Sequence, residues 1–144
     1  MNAINKFILS LLAISLVQAV PALTAGRNFL PAAKTQNGIT YVTGGIGEPE
    51  ASAMKAAANH YDLMLTFAER NGDYLANVKV TIKDLKGYTV LDTVSDGPIL
   101  LANLPSGRYT VRAEADGKVL VKTANVISRH HSQFVYFWPN EVTG

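Results

Sequence analysis

Residues 77–117 read NVKVTIKDLKGYTVLDTVSDGPILLANLPSGRYTVRAEADG, and this stretch decides the fold class. Val78, Val80 and Ile82 alternate with Lys79, Thr81 and Lys83, giving one apolar and one polar face. Tyr109, Val111, Ala113 and Ala115 alternate in the same way with Arg108, Thr110, Arg112 and Glu114. Period two in β-branched and aromatic residues marks half-buried strands. A helix would scatter the same side chains around its circumference. The turns agree with the strands. Asp84-Leu85-Lys86-Gly87 places Asp first and Gly fourth, as a type I turn prefers, and Leu104-Pro105-Ser106-Gly107 fixes φ with Pro at the second position. Asp116-Gly117 suits the type I′ turn of a two-residue hairpin, which needs positive φ at both positions.

Working outward, 144 residues make one domain the natural expectation. Residues 1–25 read as a secretory signal peptide. Lys6 supplies the positive region, 7–17 is mostly apolar, and small residues follow at Ala19, Ala22 and Ala25, any of which can precede the cleavage point. A membrane-spanning reading needs roughly 20 apolar residues, and Gln18, Pro21 and Thr24 interrupt the run too early. The expected location is therefore periplasmic or secreted, with no membrane anchor after cleavage. There is no cysteine, so the exported domain relies on packing and not on disulfides. The formal charge of +2 falls to +1 when Lys6 is removed, and the bases are dispersed, so nucleic acid is excluded as a partner class.

Residues 26–61 read as an extended or disordered lead-in followed by a glycine-rich turn and a helix. Tyr41-Val42-Thr43 is either a short strand or a packed arm. The helix is expected from 49 to about 60, with Pro49 at its start, Glu48 and Glu50 at the positive end of the dipole, and Ala51, Met54, Ala58 and Tyr61 at helical spacing. A glycine-rich turn before a helix can cradle phosphate, but the two glutamates would repel an anion at Gly44-Gly45-Ile46-Gly47, and no Gly-Lys-Ser/Thr is present. Residues 62–138 carry the sandwich. A strand over 62–69 puts Leu63, Leu65 and Phe67 on one face, and a loop over 70–76 follows. In 118–127 the alternation is poor, so either Val119, Val121 and Thr123 or Leu120, Ala124 and Val126 face inward. A polar break at 129–132 precedes a closing aromatic strand, 134–138, and 139–144 is a tail. About seven strands with turns every 8 to 12 residues suit a sandwich.

The order Gly72-Asp73-Tyr74-Leu75-Ala76-Asn77-Val78-Lys79-Val80-Thr81-Ile82, then Asp84 and Gly87, then Thr93 and Ser95-Asp96-Gly97, then Leu104-Pro105-Ser106-Gly107-Arg108-Tyr109-Thr110-Val111, resembles the carboxypeptidase regulatory-like domains. The resemblance covers roughly residues 63–127 and implies a transthyretin-like (prealbumin-like) Greek-key β-sandwich. It marks a fold and not an activity. Hydroxyisourate hydrolases share that fold but end on Tyr-Arg-Gly-Ser, whereas this chain ends Trp138-Pro139-Asn140-Glu141-Val142-Thr143-Gly144. Collagen-adhesin repeats need a Lys in the first strand and an Asn in the last, and 62–69 and 134–138 supply neither.

Residues with chemistry are few. His130 and His131 are adjacent, would face opposite ways on a strand, and read as a solvated pair, with His60 at a helix end. Asp92 and Asp96 flank a turn, where such residues bond local backbone. Ser95, Ser106 and Ser132 lack a nucleophile-elbow context. Arg108 and Arg112 read as a solvated strand face. No catalytic residue, cofactor site or metal site is expected. Tyr136 and Trp138 are the ligand-binding candidates, as part of an aromatic platform for sugars, with core packing as the competing reading. The sequence thus points to a non-enzymatic exported sandwich that binds another envelope protein, or alternatively a glycan or small ligand through its terminal aromatics.

Overall fold

The alternating stretches form strands because each buries one row of side chains against a second sheet. The computed structural model describes residues 29–139. The expected leader, its expected cleavage points and all of the tail except Pro139 lie outside the described residues. The elements are β1 (Lys34–Gln36), β2 (Ile39–Gly44), α1 (Glu48–Ala57) with a 3-10 turn (Ala58–His60), β3 (Leu63–Glu69), β4 (Val78–Lys83), β5 (Thr89–Ser95), β6 (Ile99–Ala102), β7 (Gly107–Ala115), β8 (Lys118–Val126) and β9 (Ser132–Trp138). They make a five-stranded sheet, β1-β2-β6-β3-β9, and a four-stranded sheet, β5-β4-β7-β8. Over the described residues the protein is a mainly β, two-sheet sandwich with one short α-helix.

β1 lies in the segment expected to be a lead-in, and β2 takes up the strand alternative at Tyr41-Val42-Thr43, extended to Ile39–Gly44. β1 and β2 form a hairpin about Asn37 (φ 50°) and Gly38 (φ 76°), and β2 pairs with β6. The sandwich therefore begins at Lys34 and not at residue 62. The Asn-Gly pair is a strong hairpin signal. Lys34-Thr35-Gln36, however, has no apolar residue with which to declare a strand.

One core fills the space between the sheets, built from Leu63, Leu65, Phe67, Val78, Val80, Ile82, Leu91, Leu100, Val111 and their neighbours. A second cluster lies on the other side of the five-stranded sheet, where Val42, Met64, Ile99 and Leu101 meet Met54 and Ala58 from the helical segment. This explains why β6 is buried at all four positions: both of its faces are covered. Burying one large aliphatic side chain gains about 1.5–3 kcal/mol. The α1 docking face is narrow, but Met54 on it is fully buried.

The turns behave as their residues require. Asp84 Oδ1 accepts from the N–H groups of Lys86 and Tyr88, each at 2.9 Å, and Gly87 sits at φ 87°. The Tyr109 hydroxyl donates to the Pro105 carbonyl at 2.6 Å, stapling the Leu-Pro-Ser-Gly turn to the strand that follows. Asp116 and Gly117 take φ 50° and 74°, as a type I′ hairpin needs. In β8 it is Leu120, Ala124 and Val126 that turn inward.

Glycine is required where β2 meets the turn before β6. A Cβ on Gly97 would land on the Gly44 carbonyl oxygen, and backbone there has little room to give. Gly97→Ala should lower stability by about 1–3 kcal/mol, the usual cost of overpacking. Urea denaturation checks this, with a lowered midpoint and an unchanged slope as the expected result.

Candidate functional site

Parallel pairing of β9 with β3, from Leu63↔Ser132 to Glu69↔Trp138, makes the aromatic strand one margin of the five-stranded sheet. Its side chains alternate between the sandwich interior and the outer surface. Tyr136 and Trp138 go inside, at 0% and 3% exposure. Both pack on Phe67, with ring centroids 5.8 and 6.1 Å away, and lie 6.0 Å from each other. Their polar ends are satisfied as well. The Tyr136 hydroxyl donates to the Val111 carbonyl at 3.2 Å, and Trp138 Nε1–H donates to the Lys118 carbonyl at 3.1 Å. Burial pushes the Tyr136 phenol well above its ordinary range. Neither residue can stack on a sugar, so the aromatic platform expected at Tyr136 and Trp138 is a piece of core.

The opposite face of the same strand is exposed. Gln133, Val135 (40%) and Phe137 (53%) point out, and β9 has no hydrogen-bonded neighbour beyond β3 among the described residues. A terminal strand leaves a row of N–H and C=O groups available to another chain, and natural edges are usually blunted against this. The other three margins show such devices. β1 is only three residues long and polar. β5 is covered from the side: Gln36 Oε1 accepts from the Asp92 N–H at 2.6 Å, Gln36 Nε2 donates to the Asp92 carbonyl, and Asn37 Nδ2 donates to the Val90 carbonyl. β8 carries Lys118 and Lys122 at inward-facing register positions, opposite Ala115 and Val111, with Lys122 Nζ 5.4 Å from the Tyr136 ring centroid. β9 runs Ser-Gln-Phe-Val-Tyr-Phe-Trp, with no charge, proline or glycine.

Glu50 accepts the Gly45 N–H at 2.9 Å, so a carboxylate already occupies the amide of the glycine-rich turn that a phosphate would need. Asp96 bonds the Thr43 hydroxyl of β2, at 3.3 Å, and not local backbone. Arg108 and Arg112 lie on the outer face of the four-stranded sheet, bonded to Asn125 and Glu114 at 3.2 Å each. His60 is far in sequence from the adjacent His130 and His131, but all three line one polar pocket. Among the described residues no three His, Asp or Glu side chains stand close enough together to hold a metal ion.

No protein-family model matches this chain, and no curated protein does. Among solved structures it is similar to the Bacillus anthracis TIE protein, at 16% identity and a TM-score of 0.43. That match covers 54% of this chain and 16% of the other.

The two faces of β9 predict opposite costs. Trp138→Ala should destabilise the protein by about 3–5 kcal/mol, as large-to-small changes in a core do. Phe137→Ser should stay within about 0.5 kcal/mol. Parallel chemical denaturation of the two variants checks the assignment.

Proposed function

We propose that this chain is a non-enzymatic, exported accessory module that docks another envelope protein along β9. The observation that carries this reading is the contrast between margins: three are blunted, and the fourth is seven residues long, uncharged and flanked by exposed Val135 and Phe137. An extended partner segment added there would gain main-chain hydrogen bonds, and its alternate apolar side chains would meet Val135 and Phe137. The leader-like pattern in residues 1–25 supports export to the periplasm. The Leu-Pro-x-Gly-x-Tyr-x-Val element and the two-sheet architecture support a transthyretin-like Greek-key sandwich related to the carboxypeptidase regulatory-like domains. A sugar platform on Tyr136 and Trp138 has no support, because both side chains are internal.

A photo-crosslinking amino acid placed at Val135 should capture one stoichiometric partner in the cells that make the protein. The same group at Lys79, on the other sheet, should capture none. Phe137→Lys should abolish the crosslink while moving the melting temperature by no more than a few degrees. Equal capture from both positions, or a crosslink that survives Phe137→Lys, would remove β9 as the docking edge.

A further inference from the structure

The parallel pairing of β3 and β9 starts both strands at the same end of the sandwich, so the segments leading into them lie side by side. Together they enclose a polar pocket of about 140 Å³, lined by Asn59, His60, Tyr61 and Asp62 from one segment and Arg129, His130 and His131 from the other. That is the space of four or five waters, enough for one small molecule.

Several of these groups are already committed. His131 Nδ1 donates to the Tyr61 carbonyl at 2.7 Å, and its Nε2 accepts from the Gln133 amide at 2.9 Å, so this ring is a clamp between the two segments. His130 Nδ1 donates to the Ser128 carbonyl at 3.1 Å, which leaves Nε2 as a lone-pair acceptor on the neutral ring. Asp62 Oδ2 accepts from the Leu104 N–H at 3.1 Å, leaving Oδ1. Arg129 makes no ion pair among the described residues. It also holds φ 66°, a left-handed backbone that is strained for a non-glycine residue.

The uncommitted groups are therefore a guanidinium, two acceptors (Asp62 Oδ1 and His130 Nε2), the Asn59 amide and the His60 ring. A bare anion would meet the Asp62 carboxylate in the same wall, and a neutral polyol would leave Arg129 unused. A divalent cation would meet Arg129. We propose that this pocket binds a small hydroxy-carboxylate of the sugar-acid class. Its carboxylate pairs with the Arg129 guanidinium, and its hydroxyl hydrogens go to Asp62 Oδ1 and His130 Nε2. His131 is a positioning residue that holds the two walls together. This site is separate from the β9 docking edge and does not depend on it.

The test is an NMR titration of the intact protein with sodium glucuronate, read at the histidine ring signals, with glucose, acetate and zinc chloride as parallel titrants. Glucuronate should give saturable shifts at His60 and His130, whereas glucose and acetate should give none over the same concentration range. Arg129→Gln should weaken glucuronate binding at least tenfold. Arg129→Gly should do the same while leaving the melting temperature unchanged or raised, because glycine relieves the left-handed backbone; that separates lost binding from lost folding. An acetate isotherm matching that of glucuronate, saturation by zinc at the same rings, or unaltered affinity in both Arg129 variants would overturn the proposal.

Discussion

The contact on which most of this structure depends is the parallel ladder between β3 and β9. A parallel pair cannot be closed by a hairpin and needs a crossover, and here that crossover runs through β4 to β8 before the last strand lies beside β3. Three properties follow from that single pairing. The inward residues of β9 arrive opposite Phe67 and complete the core with aromatic rings. The other side of β9 becomes a margin of the sheet. The segments entering β3 and β9 are brought together at one end, where they enclose the polar pocket.

The margins show how differently one fold treats its edges. Side chains of the β1–β2 hairpin occupy backbone groups of β5, and the lysines of β8 turn toward the interior where a neighbouring strand would have to pack. These are local solutions to a general hazard of β proteins. The helix serves the five-stranded sheet in another way. Its central strands β2, β6 and β3 are apolar on both faces, and α1 with the 3-10 turn covers their outer one. Glu50 ties the start of α1 to Gly45, so the glycine-rich turn fastens that cover to the end of β2.

Much of this was legible in the residues. Strict alternation at Val78, Val80 and Ile82 and at Tyr109, Val111 and Ala113 matches the interior rows of β4 and β7, because each strand has one wet and one dry face. β8 resisted the same reading because Lys118 and Lys122 stand in its inward row, breaking the pattern by which a row is recognised. Tyr136 and Trp138 were legible as a pair on one face. Which face that was depended on the partner strand, and periodicity carries no information about partners. The grouping of His60 with His130 and His131 was hidden for the same reason, since it follows from a pairing between residues almost 70 apart. The β1–β2 hairpin was announced by Asn37-Gly38 alone, with no apolar residue in β1 to second it.

The helix cover has a further consequence for the chain's sulfur. There is no cysteine, and beyond the initiating residue the only sulfur atoms are those of Met54 and Met64. Both lie in the cluster beneath α1, at 0% and 8% exposure. Oxidation would turn either thioether into a polar sulfoxide that no longer fits an apolar seam. The docked helix thus acts as a seal over all the oxidisable sulfur of the described residues. The rate at which peroxide reaches those two atoms becomes a clock for how often the seal lifts.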